Sequence, residues 1–445
     1  MAIASYALQQ RPRAVLPPPC MPPRCMPPTL PIPVPVPVPM VPAQTVVPAP
    51  AEVPVPLLVQ VVAGNPATSA AVLLCLNTHD ATILRQLHPA LARTVADVPW
   101  CDTATVIHDM RRWRTALPAA VGARVSWRFS GNTAPLAGLT ALDARQCNAI
   151  TDAVVQRLPA TLRRLHLQQC FNMTPAASFT HLPLLTALDC SRTAVFSSSA
   201  SLGRLPPSLQ ELGIDLCRME IEHTGDPAIG FGVLPALREL SWMWGEASDD
   251  IIATLPPSVE VVSLAYLGEG VGIVHLSRLP RLRVVRTRMF PTVNDAWVAA
   301  LPAHLEELDV CGCRALTSAV SFTHLRALRT LNVIGTNIGD ASLATLPPTL
   351  VWLGLSHCKL LSMAATLPAL PALQLLDANN TSVGDAFVVS LPPCLTALYL
   401  NNCRNVTLAA STDHLTALRV LQCTDTHVSS ASVAAVRARG GSVLA

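Results

Sequence analysis

Charge is scarce in this chain. Asp, Glu, Lys and Arg make up 13% of its 445 residues, and 31 basic residues against 28 acidic ones leave a net charge of +3. So slight a balance gives no single-sign field that would concentrate nucleic acid or an anionic membrane. Lysine is almost missing, with Lys359 as its single representative among arginines; with the excess of Ala and Pro, this reads as nucleotide-composition bias. No apolar run reaches the roughly 20 residues of a membrane span without meeting a proline, so no membrane partner is expected. Met1 to Gln10 lacks a basic start, a sustained apolar stretch and a processing site, so a secretory signal is not expected either. Also absent are a Gly-rich phosphate loop, His-Glu-x-x-His, Cys-x-x-Cys and Gly-x-Ser-x-Gly. Without them no reaction, metal or cofactor has an anchor in the sequence, and a non-enzymatic protein is expected.

What is present is repetition. Leu162-x-x-Leu165-x-Leu167-x-x-Cys170 returns at Leu209 to Cys217, Leu305 to Cys313, Leu350 to Cys358 and Leu395 to Cys403, with a weaker copy at Val259 to Leu267. Alternating with these are Leu139 to Cys147, Leu185 to Thr193, Leu328 to Thr336, Leu373 to Thr381 and Leu418 to Thr426, and the irregular Leu237 to Gly245 and Leu282 to Phe290. That makes thirteen units. A period of about 22 to 24 residues is one supersecondary piece that buries its apolar side only by stacking on neighbours.

Within a unit the alternating Leu-x-Leu segment predicts a short strand, leucines inward and the intervening residues outward. Leu-Pro pairs at Leu158, Leu205, Leu255, Leu301, Leu346 and Leu391 punctuate the return leg, since proline ends a helix. Asp152, Asp295, Asp340 and Asp385 each stand six residues before a Leu-Pro, where an N-cap is expected. These units resemble the leucine-rich repeat family over roughly three quarters of the chain. The Cys-x-x-Leu-Thr flavour, as in Cys313 to Thr317, resembles its cysteine-containing subclass, and the alternation resembles ribonuclease-inhibitor-like proteins, although these units are shorter. The resemblance implies an α/β solenoid: a curved horseshoe with a parallel concave sheet, short convex helices or turns, and Cys or Thr satisfying backbone groups between turns.

Two segments precede the repeats, which are taken as residues 117–445. Residues 1–66 hold 19 of the 41 prolines, including Pro31 to Pro39, and are expected to be disordered and extended. Pro19-x-x-Pro22 and Pro28-x-x-Pro31 could dock on an aromatic-lined partner, but a plain spacer is the expected role. Residues 67–116 predict two or three short helices, with Asp80 as a cap, a second segment opening at Pro89, and the Arg111-Arg-Trp-Arg114 cluster. A helical cap for the solenoid accounts for them. They also resemble an F-box, which implies docking on a Skp-type adaptor and a ubiquitin-ligase substrate receptor as the alternative function.

Several apparent sites dissolve into the period. His181, His275, His324 and His414 come from every second unit or farther, so stacked neighbours lie roughly 10 Å apart, too far to share a zinc ion. Six of the 14 cysteines fall on the repeat position, Cys313 among them, which leaves its neighbour Cys311 without such an explanation; the cysteines are expected to be reduced in a cytoplasmic protein, with the nucleus as the alternative compartment. The arginines at 278, 281, 283, 286 and 288 resemble a nucleic-acid patch, yet successive units carry Arg238, Glu260, Arg283, Glu306 and Arg329 at one position, and Arg286 is expected opposite Asp309. Alternating signs argue against nucleic acid. The outward positions that remain as candidate partner-binding residues are Met243, Trp244, Tyr266, Arg286, Glu307, Asp309, Trp352, His357 and Tyr399. The function expected is a protein-interaction scaffold using the concave face, its protein partner unidentified.

Overall fold

A computed structural model of the chain describes Leu73 and residues 76–197, 199–217, 230–244, 249–265 and 273–444, all within one unit, Pro54–Ala445. Residues 1–66 and Tyr266 lie outside the described residues.

Three helices open the described region: α1 (Thr78–Leu87), α2 (Pro89–Asp97) and α3 (Met110–Ala116). Asn77, not Asp80, caps α1, its side chain accepting from the Asp80 N–H, because the chain turns into the helix one residue before Thr78. Between α2 and α3 runs a strand that alternation did not mark, β1 (Cys101–Ile107), and it pairs in parallel with β2 (Gly122–Val125). This helical segment is thus sewn into the sheet. Asp102 on β1 receives the Thr78 N–H and hydroxyl, both at 2.8 Å. Burial pushes its carboxyl up, but hydrogen bonds from Thr105 and Thr78 outweigh this and hold it well below the usual carboxylate range. Arg114 donates to the carbonyls of Pro135 at 2.7 Å and Ala120 at 2.8 Å, fastening α3 to the first turns.

The sheet continues in chain order through β3 (Ala141–Asp143), β4 (Arg164–His166), β5 (Ala187–Asp189), β6 (Glu211–Gly213), β7 (Glu239–Met243), β8 (Val261–Ala265) and β9 (Val284–Arg288). It ends with β10 (Glu307–Asp309), β11 (Thr330–Asn332), β12 (Trp352–Gly354), β13 (Leu375–Asp377), β14 (Ala397–Tyr399), β15 (Val420–Gln422) and β16 (Ser442–Leu444). All sixteen strands are parallel to their neighbours, because every coil returns the chain to the same starting edge. From β3 to β15 the central residue of the register, such as Leu165, Leu308 or Leu398, points inward and is buried. Each such side chain contributes roughly 1.5 to 3 kcal/mol of burial, none of which one unit could collect alone.

Behind the strands of the regular units, a thiol or hydroxyl closes the turn. Thr336 Oγ1 donates to its own turn's Val333 carbonyl at 2.7 Å, and the next turn's Cys358 Sγ reaches back to the same oxygen at 3.1 Å. Thr381 and Cys403 share the Ala378 carbonyl in the same manner, at 2.7 and 3.1 Å. The Thr–Cys alternation is therefore a pairing rule: the hydroxyl bonds within its turn, and the longer-reaching thiol bonds across. Where the unit Leu237 to Gly245 carries no such group, buried Trp242 supplies the donor, its Nε1 bonding the Cys217 carbonyl at 3.2 Å.

On the opposite side, single-turn helices recur in alternate units: α4 (Asp152–Val155), α5 (Asp249–Ala253), α6 (Asp295–Ala299), α7 (Asp340–Leu343) and α8 (Asp385–Val389). A last helix, α9 (Ser430–Ala438), precedes β16. Asp152, Asp295, Asp340 and Asp385 are the first helical residues and not the caps, which are Thr151, Asn294, Gly339 and Gly384. Their carboxylates clamp the following coil instead. Asp385 accepts the Thr407 N–H at 2.7 Å and hydroxyl at 2.6 Å, and Asp340 binds Ser362 likewise at 2.9 and 2.5 Å. Acidic character still suits a helix start through the positive end of the dipole.

If one carbonyl serves two donors, Thr336→Val and Cys358→Ala each cost about 1–2 kcal/mol and are coupled by about 0.5 kcal/mol or more. Urea unfolding of the single and double variants measures this; strict additivity would contradict the shared rung.

Candidate binding surface

Residues flanking each inward leucine form two outward rows on the sheet. Charge is concentrated in their middle. Arg286 lies opposite Asp309 in register, as expected, but its side chain reaches diagonally to Glu307, with Nε–Oε1 at 2.6 Å and Nη2–Oε2 at 3.1 Å. Asp309 pairs instead with Arg288, Nε to Oδ2 at 2.7 Å. The reason is reach: Asp309 is short, accepts the Cys311 N–H at 3.1 Å, and is held down on the strand. Only 4% exposed, it offers little to a partner. Arg238–Glu260 at 3.1 Å and Arg283–Glu306 at 2.8 Å form separate dyads. The run of arginines is thus largely spent on the next coil's acids.

A second row lies at the corner just after the strands. In unit after unit the residue before the Cys or Thr position is left-handed, among them Gln169, Trp244, Met289, His357, Asn380 and Asn402, with φ between 57° and 60°. This twist aims the N–H at the following coil: Trp244 donates to the Ala265 carbonyl at 2.7 Å, and His357 to Asn379 at 3.0 Å. Trp244 and His357 are exposed because the corner points their side chains outward, while the last β7 residue, Met243, is half-buried. Leu216 and Met289 share this corner and were not singled out from the sequence; the residue preceding each Cys or Thr position marks them.

Trp352 opens β12 and lies over Gly354, where an added Cβ would sit 2.7 Å from its Cη2. Only glycine admits the ring so close to the strand. Tyr399 closes β14, opposite Asp377. At about 4.8 Å per strand, Trp352, His357 and Tyr399 fall within roughly 10 Å along the sheet, whereas Met243 and Trp244 stand about 24 Å away. The candidates form two groups, separated by the Arg–Glu and Arg–Asp ties.

The repeated thiols are buried, which disfavours the thiolate. Burial pushes Cys170 and Cys313 up to about 12, and Cys217 and Cys358 to about 11. Among the described residues, no group of three or more His, Cys, Asp or Glu is placed to hold a metal, and no helix is long and apolar enough to cross a membrane. His414 Nε2 sits 3.1 Å from the Leu391 carbonyl of the preceding coil, a structural use of that ladder.

Sixteen parallel strands in chain order, a leucine core and a Cys–Thr rung define the architecture. It is a leucine-rich repeat solenoid. No protein-family model and no curated protein matches the sequence. Similar solved structures of this leucine-rich repeat fold include an internalin (inlF) of Listeria monocytogenes, 16% identical with TM-score 0.47 over 69% of this chain and 80% of that one. The functional domain of InlJ from the same organism, which includes a cysteine ladder, is 17% identical with TM-score 0.45, over 70% and 64%. Rad7 in complex with Elc1, from yeast, is 19% identical with TM-score 0.35, over 61% and 84%.

Iodoacetamide at pH 8 is expected to modify exposed Cys101 in the folded protein while sparing Cys170, Cys217, Cys313 and Cys358 until denaturant is added. Because their folded pKa values are raised, the neutral-thiol rungs are fully present below about pH 9 and lost as pH rises through 11 to 12. Mass spectrometry of the labelled chain reads the pattern, and rapid labelling of any rung thiol would contradict it.

Proposed function

We propose that this solenoid is a non-enzymatic protein-binding scaffold whose partner rests on the concave sheet face. One observation carries the reading. The outward rows of a sixteen-strand sheet carry two half-buried aromatic side chains, Trp352 and Tyr399, held on strands. Aromatic side chains so held lose little entropy on binding and commonly dominate interface energy. The side chains that would do chemistry are spent on architecture: the repeated thiols are protonated, and the repeated Asp residues clamp the next coil. A reducing compartment, the cytoplasm with the nucleus as alternative, belongs to the same proposal, since oxidation would remove the S–H donors of the rung.

Affinity purification with the full chain tests this. Trp352→Ala with Tyr399→Ala is expected to lose the captured partner by at least about tenfold, with circular dichroism unchanged. Undiminished capture by the folded variant overturns the concave-face reading.

Adaptor docking through residues 67–116 is the second reading, favoured by a cleft of about 820 Å³ between α1, β1 and α3 and by exposed Ile83 and Leu87 on α1. A Skp-type adaptor is expected to bind the full chain in calorimetry and to lose binding with Ile83→Asp and Leu87→Asp; no heat with the wild-type chain removes it.

A further inference from the structure

The cleft between α1, β1 and α3, about 820 Å³ in volume, is of the size that takes a small organic molecule. Its charged groups are unequally spent. Asp109 caps α3, accepting the Arg112 N–H at 2.9 Å. Asp102 does not line the cleft, and its oxygens are filled by the N–H and hydroxyl of Thr78 and the N–H groups of Ala104 and Thr105, at 2.8 to 3.0 Å. Arg85 on α1 and Arg112 on α3 both line the cleft, and neither side chain forms a hydrogen bond or ion pair among the described residues. The imidazoles of His79 and His108 line it on the same terms. Arg114, by contrast, is fully used, donating to the carbonyls of Pro118, Ala120, Pro135 and Ala137.

Trp113 supplies a second, independent observation. It lines the cleft and is only 7% exposed, yet its indole Nε1–H finds no acceptor among the described residues. Other buried tryptophans are satisfied: Trp100 Nε1 donates to the Val95 carbonyl at 2.8 Å, and Trp242 Nε1 to that of Cys217 at 3.2 Å. A buried donor without a partner is costly and rare. Left beside two unpaired guanidinium groups, it marks a place for an acceptor that the chain itself does not provide.

We propose that this cleft binds a small phosphate monoester carried on an apolar body. The unspent donors choose the headgroup. One carboxylate satisfies one guanidinium fork, whereas the three terminal oxygens of a phosphate monoester serve two forks and a further N–H. Such a group also brings roughly two negative charges near neutral pH. Val106, Ile107, Ala92 and Ala116 line the same cleft and give the apolar body its contacts. The inference is separate from the scaffold reading, whose residues lie on the concave sheet. It is separable from adaptor docking as well, since Ile83 and Leu87, where that reading is tested, do not line the cleft.

Calorimetry with the full-length protein tests it, using phenyl phosphate, phenol and inorganic phosphate. Phenyl phosphate is expected to bind at a single site, and phenol and inorganic phosphate at least about tenfold more weakly. Arg85→Gln with Arg112→Gln, neither of them buried, is expected to weaken phenyl phosphate binding by at least about tenfold. Trp113→Phe keeps a ring and removes the N–H, and is expected to weaken it by about threefold or more. Should Trp113→Phe fold poorly, the arginine pair decides alone. No binding of phenyl phosphate by the wild-type chain, equal binding of phenol or inorganic phosphate, or unchanged binding by either folded variant overturns the proposal. Phenyl phosphate bound without any heat from the adaptor leaves this site standing and removes adaptor docking, and the reverse result removes this site alone.

Discussion

A carbonyl oxygen has two lone pairs, and the solenoid depends on filling both. Val333 and Ala378 each accept a hydroxyl from their own coil and a thiol from the next, deep inside the stack. An unmet carbonyl there would cost about 1–3 kcal/mol, repeated at every turn. Once the rung is closed, adjacent coils are held at the spacing of parallel strands, and the leucines of one coil become the core of its neighbour. Sheet, clamp and corner are all consequences of that spacing. The carboxylate of Asp385 can reach Thr407, and the N–H of His357 can reach Asn379, only because successive coils repeat at a fixed step.

The middle of the chain shows the same constraint met by other means. Units ending in Gly245 and Phe290 lack a small donor, and there β7 to β9 lengthen to five residues each. Trp242 turns inward, bonds the Cys217 carbonyl through its indole and meets Phe231 edge-on at 6.1 Å between ring centres. The adjacent Trp244, by contrast, is swung outward by a left-handed corner. Two tryptophans two residues apart thus take opposite duties, one as a core donor and one as surface. The irregular units preserve the stack while giving up the uniform surface of the regular ones.

Much of this was legible from residue types. Period-two leucines within a 22 to 24 residue repeat yield parallel strands, Leu-Pro pairs end the short helices, and the alternating signs of Arg238, Glu260, Arg283 and Glu306 announce paired coils. Less legible was which acid each arginine meets. Arg286 takes Glu307 and leaves Asp309 to Arg288, since side-chain reach and a competing Cys311 N–H decide between nearly equal neighbours. Nor did spacing tell an N-cap from a clamp: Asp at a helix start satisfies either, and only the Thr or Ser of the following coil breaks the tie. β1 went unmarked because its pattern of half-exposed residues lacks the leucine alternation.

By itself the sequence determined that this chain stacks: periodic leucines cannot be buried within one unit, so any folded state must place units side by side. It also determined what the histidine ladder is not, because histidines two or more coils apart cannot converge on one metal. Tertiary structure alone decided which periodic positions are spent and which are offered. Exposure is set by the corner's backbone twist and by partners some 20 residues away. That is why Asp309 is buried in an ion pair, while Leu216 and Met289, unremarkable in the sequence, stand exposed with Trp244 at left-handed corners.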